Sequence, residues 1–288
     1  MPGQPRLPGD EEIAAQVARA LAEDIGDGDC TAGLIPAAAQ LTTRVICRQA
    51  AVLCGVAWFQ EAYRQLDPSV SVSWSAGDGD PLQPGQAVCR VRGPARAVLS
   101  GERTALNFLQ TLSATATRAA RYLAAIQGTQ ARILDTRKTV PGLRAAQKYA
   151  VRCGGADNHR MGLFDAILIK ENHIAAAGSI AAAVSAARAQ HPDLPLEVEV
   201  EGLAQIGEAC AVGVERVLLD NFSLADLRAA VQRYGDHIEL EASGQIDLER
   251  VRAVAETGVD FISVGDLTKS LEAVDFSMRF TAPSTDRD

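Results

Sequence analysis

The chain of 288 residues carries 28 Lys and Arg against 36 Asp and Glu, a formal net charge of −8, with 47% hydrophobic and 22% charged residues. That balance suits a globular fold and excludes a disordered chain, while the acidic excess excludes broad electrostatic capture of nucleic acid or an anionic membrane. The length fits roughly two domains, or a single α/β barrel.

The opening "MPGQPRLPGDEE" has no apolar core of signal-peptide length, and no segment reaches the ~18 apolar residues of a membrane span, so a cytoplasmic protein is expected. Six cysteines (Cys30, Cys47, Cys54, Cys89, Cys153, Cys210) form no CxxC pair and read as reduced, idle thiols. From Asp10 to about Asp24, Ile13, Val17 and Leu21 recur on one face of an amphipathic helix. The β-branched stretches "LTTRVICR", "AAVLCG" and "SVSVSW" follow as strands, with the helical "VAWFQEAYRQL" among them and the turn-rich "AGDGDPLQPG" after them. This is an α+β region. A long helix is predicted from about Pro94 to Gln127.

Beyond Ala131 short apolar runs alternate with helical segments: "RILDT", "AILIK", "LEVEV", "RVLLD", "IELEAS" and "FISVG", each followed by a helix, the last of them "LTKSLEAV". Strands apolar on both faces with helical crossovers predict a parallel sheet. The last four start about 20 residues apart, the spacing of a βα unit. Six units rather than eight predict an incomplete, TIM-like α/β barrel behind an N-terminal α+β domain. The polar tail "APSTDRD" reads as a frayed end.

Active sites of such barrels are built at the carboxyl ends of the strands, and here those ends are polar. Arg137 and Lys138 follow the first strand, Lys170 ends the second, Glu199 lies in the third, Asp220 and Asn221 end the fourth, Ser243 and Gly244 the fifth, and Gly265 the sixth. Arg137, Lys138, Arg160 and Lys170 together suit a multiply anionic substrate. Glu199 and Asp220 suit magnesium or ribose hydroxyls. "ASG" and "SVG" let backbone N–H groups approach a phosphate. Arg144, Lys148 and Arg152 are expected on the solvated side of a helix, His191 and His237 at the surface, and Asp135 beside Arg137 as its structural partner; His159 either serves the site or satisfies a loop.

The ordered motifs "ALAEDIGDGDCTAGLIP", "GERTALNFLQTLS", "LDTRKTVPGLR", "NHRMGLFDAILIKENHI", "EVEVEGL", "LLDNFS", "EASGQI" and "ISVG" resemble the quinolinate phosphoribosyltransferase family over nearly the whole chain. The resemblance implies transfer of ribose 5-phosphate from phosphoribosyl diphosphate to the ring nitrogen of quinolinate, with loss of diphosphate and CO2, in NAD biosynthesis. It assigns Arg103, Arg137, His159, Arg160 and Lys170 to quinolinate. Phosphoribosyl diphosphate falls to Glu102, Lys138, Glu199, Asp220, Ser243, Gly244, Gly265 and Lys269, with Mg2+ on Glu199 and Asp220; Lys138, Glu199 and Asp220 carry the catalytic role. It further implies a homodimer, open to higher assembly, in which Arg103 reaches the partner's barrel. Residues 1–113, rejoined by about 272–288, form the first domain and 114–271 the barrel. Ala114 and Ala156 stand where glycine is common, which is tolerable if the backbone there is not left-handed. Asp266 and Lys269 stand where alanine and histidine are usual, and Asp266 would repel a phosphate unless turned away. Competing readings are a Schiff-base aldolase using Lys138 or Lys170, a relative that takes nicotinate or another anionic ring without decarboxylation, and an anion sensor without activity.

Overall fold

The computed structural model describes residues 6–280; the tail "APSTDRD" lies outside them. In chain order the elements are α1 (Asp10–Ile25), β1 (Gln40–Cys47), β2 (Ala51–Val52), α2 (Val56–Leu66), β3 (Ser71–Trp74), β4 (Pro81–Leu82), β5 (Ala87–Pro94), α3 (Ala95–Ala125), β6 (Arg132–Leu134), α4 (Arg144–Cys153), β7 (Ile167–Ile169), α5 (Glu171–Ala177), α6 (Ile180–Gln190), β8 (Leu196–Val200), α7 (Leu203–Ala211), β9 (Arg216–Asp220), α8 (Leu224–Tyr234), β10 (Glu239–Ser243), α9 (Val251–Ala255), β11 (Phe261–Ser263), α10 (Asp266–Lys269) and β12 (Phe276–Phe280). Over the described residues they divide into two compact units, one drawn from Met1–Arg118, Pro141–Gly155 and Leu271–Asp288, the other from Ala119–Val140 and Ala156–Ser270.

The first unit is an α+β domain. Its antiparallel sheet has the order β12-β1-β5-β3, with Val45 paired to Met278 on one side and Cys89 on the other. Alternation buries Thr43, Val45 and Cys47 on one face of β1, as a half-covered sheet requires. The core there holds Trp58, Phe59, Tyr63, Leu106, Leu109 and Leu112. Trp58 satisfies its buried Nε1–H on Gln16 Oε1 at 2.7 Å, while Gln16 Nε2 donates to the Gly142 carbonyl at 3.1 Å. The strand β5, central to this sheet, was not among the sequence-derived strands.

Helix α4 corrects two expectations. It follows β6 as a barrel crossover would, yet it belongs to the first unit, where Ala146, Ala150 and Cys153 join the apolar core. Lys148, expected on the solvated side, is buried at 1% exposure. The helical face that looks polar by composition is therefore turned inward.

The second unit is the barrel, incomplete as expected. Six parallel strands run in the order β6-β11-β10-β9-β8-β7. A single parallel bridge, Leu134 to Asp157, extends the outer edge of β6, and among the described residues no ladder joins β7 to that bridge. Val198, Val217, Leu219, Leu240, Ile133 and Ile262 are fully buried. Ser179 and Ser223 cap α6 and α8 by accepting from Ala182 N and Asp226 N. The final helix is shorter than "LTKSLEAV" suggests and stops at Lys269. Ala114 and Ala156 avoid left-handed backbone: the only positive-φ non-glycines among the described residues are Asn221 and Gln245.

Candidate active site

The barrel unit alone lines a cavity of about 420 Å3 at the carboxyl ends of its strands. Arg137, Lys138, His159, Arg160, Lys170, Glu199, Asp220 and Ser243 all face it, with Thr136, Leu168, Leu218 and Ser263. Four cations from stretches separated along the chain thus converge on one space opposite two carboxylates. Arg160 reports that crowding, since burial first and the Arg137 charge second push its guanidinium below its ordinary range. An anion placed between the two would relieve the repulsion.

Local devices set each side chain. Arg160 Nη1 donates to the Ala166 carbonyl at 3.1 Å, and Asp165 closes the intervening loop by accepting from Met161 N (2.7 Å) and Gly162 N (2.9 Å). Lys170 opens α5, its Nζ lies 2.5 Å from Glu199 Oε2, and its side chain is 42% exposed, where a Schiff-base lysine needs a desolvated pocket. Lys138 is anchored by its carbonyl, which accepts from Thr268 Oγ1 at 2.8 Å. Its side chain passes over Gly265, where an added Cβ would come within 2.9 Å of Lys138 Cδ.

The ends of β9 and β10 are tied by Asn221 and Gly244. Asn221 is left-handed at φ 56°, donates its N–H to the Ser243 carbonyl (3.0 Å), and donates Nδ2–H to Asp220 Oδ2 (2.9 Å). Gly244 sits at φ +101°, and a Cβ there would meet Asn221 Oδ1 at 2.2 Å. Strained backbone at adjacent strand ends is a common mark of a functional site.

Asp135, expected as a structural partner of Arg137, is fully buried and accepts from Asn158 Nδ2 (2.6 Å) and from His159 N (2.9 Å), fixing the loop that carries His159 and Arg160. Beneath this loop lie Glu197 and Glu241. Glu197 Oε2 is 3.0 Å and Glu241 Oε1 3.5 Å from His159 Nε2, and Ser263 Oγ hydrogen-bonds Glu241. Burial pushes Glu197 up to about 7, and burial with the Glu197 charge pushes Glu241 up to about 8.

Neither glutamate was a sequence-derived candidate, nor were Leu168, Leu218 and Ser263. A single signal finds them all, because each lies two residues before Lys170, Glu199, Asp220, Ser243 or Gly265 and so shares its strand face. The remaining expected residues are not among those lining the cavity. Gly244 and Gly265 act by close approach as described, and Lys269 is exposed on α10. Asp266 accepts from Tyr122 OH at 2.8 Å. Glu102 and Arg103 belong to α3 in the first unit, Glu102 half-buried and Arg103 exposed. His191 and His237 are exposed as expected.

For magnesium, the chemistry of the donors fits: Glu199 and Asp220 are hard carboxylates on neighbouring strands lining one cavity.

Comparison with known proteins gives a consistent picture. The C-terminal domain model of quinolinate phosphoribosyl transferase matches residues 115–279 and the N-terminal domain model residues 29–113. A probable nicotinate-nucleotide pyrophosphorylase (carboxylating) of Bacillus subtilis is 42% identical over 260 residues, 90% of each chain. The corresponding protein of Mycobacterium leprae is 42% identical over 272 residues, 91% of this chain and 95% of that one. The nicotinate-nucleotide pyrophosphorylase of Francisella tularensis superposes with a TM-score of 0.93 at 42% identity, covering 97% of this chain and 99% of the other.

Proposed function

This chain belongs to the quinolinate phosphoribosyltransferase family, and on that premise we propose how its barrel cavity carries out the family's reaction. The enzyme transfers the ribose 5-phosphate unit of phosphoribosyl diphosphate to quinolinate with decarboxylation, giving nicotinate mononucleotide, diphosphate and CO2 in NAD biosynthesis. One observation carries the site assignment: Arg137, Lys138, Arg160 and Lys170 face a single cavity across from Glu199 and Asp220.

Quinolinate brings two carboxylates, which Arg137, Arg160 and Lys170 hold beside His159. Arginine forks suit carboxylates bidentately and lysine adds a compact charge. Lys138 meets the diphosphate end of the second substrate, Glu199 and Asp220 its ribose hydroxyls, and Ser243, Gly244 and Gly265 its 5-phosphate, with Glu102 and Lys269 as further contacts. Glu199 and Asp220 would also hold Mg2+, which when bound offsets the charge of the departing diphosphate. As the bond from ribose C1 to diphosphate oxygen breaks, positive charge grows on the sugar, and the two carboxylates stabilise it. The pyridine nitrogen lone pair forms the new bond to C1. The ring is now cationic, so the electron pair left when the adjacent carbon loses CO2 is held as an ylide until a proton arrives from water. Positioning and electrostatics suffice, without a covalent enzyme intermediate.

The functional unit is a homodimer in which Arg103 enters the partner's barrel; its exposure on α3 supports that reading. A cytoplasmic location is supported by six free cysteines, four of them buried, and no helix among the described residues is long and apolar enough to cross a membrane. The test is direct: purified protein with magnesium, phosphoribosyl diphosphate and either quinolinate or nicotinate, following CO2 and mononucleotide. Quinolinate should yield both products in equal amounts; turnover of nicotinate alone would overturn the substrate assignment.

A further inference from the structure

Behind His159 lie two buried carboxylates that the reaction above does not use. Glu197 and Glu241 are 7% and 0% exposed, and His159 Nε2 stands within hydrogen-bonding reach of the first and 3.5 Å from the second. The other ring nitrogen is engaged as well, because Arg160 N lies 2.7 Å from His159 Nδ1. A backbone N–H can only donate, so Nδ1 must offer its lone pair and the ring proton must sit on Nε2. An imidazolium would set two donors against each other at that distance. Both nitrogens of His159 therefore serve the protein.

We infer that His159 is a neutral strut in this cavity, locked in its Nε2–H tautomer by Glu197 and Glu241, and that these carboxylates are positioning residues acting on the pyridine dicarboxylate only through it. The chain of contacts runs upward: Ser263 hydrogen-bonds Glu241, Glu197 pairs with the ring at 3.0 Å while Glu241 backs it at 3.5 Å, and the ring accepts from the Arg160 backbone. From the other side Asp135 holds the His159 backbone. The same three groups have ligand atoms within 4.8 Å of one another, the geometry of a metal site. Arg216 Nη1 lies 3.7 Å from Glu241 Oε2 and Arg160 also faces Glu197, so cations already serve these carboxylates. The proposal rests on the quinolinate reading of the cavity, but its first test does not.

Histidine 15N spectra of the whole enzyme near neutral pH report the tautomer, and with four histidines in the chain the His159→Asn spectrum identifies the signals of interest. The expected result is one bare nitrogen and a proton on Nε2; an imidazolium or an Nδ1–H tautomer overturns the proposal. Kinetics supply the second test. Glu241→Gln keeps Oε1 and replaces Oε2, an atom with no hydrogen bond, so the KM for quinolinate should stay within about threefold of wild type, whereas Glu241→Ala should raise it about tenfold or more. The KM for phosphoribosyl diphosphate should move less than about twofold in both. Equal damage from Gln and Ala would mean that charge matters and the strut does not. Stoichiometric metal in purified enzyme that Glu241→Ala loses would equally overturn it. Failure of wild-type enzyme to turn over quinolinate would instead remove the substrate reading, leaving the tautomer result standing.

Discussion

Lys170 Nζ lies 2.5 Å from Glu199 Oε2, so a cation assigned to the pyridine dicarboxylate and a carboxylate assigned to the ribose and magnesium are held as one pair. The two substrates consequently share a residue contact before either arrives. Lys170→Met, which keeps the stem and removes the charge, should lower kcat/KM for quinolinate by about 100-fold or more, near 3 kcal/mol of transition-state stabilisation. It should also shift the KM for phosphoribosyl diphosphate, because Glu199 loses its cation. Lys170 is 42% exposed in this pair, and such pairs add little to folding, so thermal stability should barely change. Steady-state kinetics with both substrates varied decide the matter; a change confined to quinolinate would separate the two sites.

Gly244 is the point where backbone geometry limits the site. Its φ of +101° is a region that L side chains rarely adopt, and a Cβ would strike Asn221 at Oδ1 and at N. Gly244→Ala should cost about 1–3 kcal/mol of stability and swing Asp220, whose carboxylate Asn221 holds. Urea unfolding alongside a magnesium titration of activity should show both losses together. A variant with full stability would mean that the β9 and β10 ends are looser than drawn.

The proposed trans role of Arg103 has an arithmetical signature. Enzyme carrying Arg103→Ala retains an intact barrel, and enzyme carrying Lys170→Ala retains an intact Arg103. A mixed dimer then has one complete site and one doubly deficient site, so random exchange should restore about a quarter of wild-type activity. Each variant alone should remain nearly inactive. Confirmed mixed dimers without recovery would place Arg103 elsewhere.

Much of this was legible from residue order, for identifiable reasons. The helix "VAWFQEAYRQL" matches α2 residue for residue because its apolar spacing is strong, and the six barrel strands announce themselves as short apolar runs between helical segments. β5 was missed although Val88 and Val91 are buried while Arg90 and Arg92 face solvent; two arginines in eight residues mask the alternation. Lys148 and Glu241 mislead for a deeper reason, since a buried charge is spelled with the same letter as a solvated one. Its burial is decided by the partners that tertiary packing supplies. The strand-end residues of the candidate site were readable because barrel topology says where to look, whereas Glu197 and Glu241 lie one pleat deeper, where only the period of two points to them.

That deeper pair makes a pH-dependent contribution to stability with a definite sign. Burial and the Glu197 charge raise Glu241 from 4.5 to about 8 in the folded protein. Between those values the native state keeps a proton that the unfolded chain gives up. Stability therefore falls as pH rises through this window, by at most about 1.4 kcal/mol per pH unit for one such group. Glu241→Gln removes that proton exchange, leaving the smaller, same-signed contribution of Glu197, which burial and the Glu199 charge still raise. Chemical denaturation at intervals from pH 5 to 8 should give wild type the steeper decline, with the variant gaining on it steadily toward the alkaline end. Parallel curves would show that Glu241 ionises in the folded state as it does in water, which its complete burial among Glu197, His159 and Ser263 does not permit.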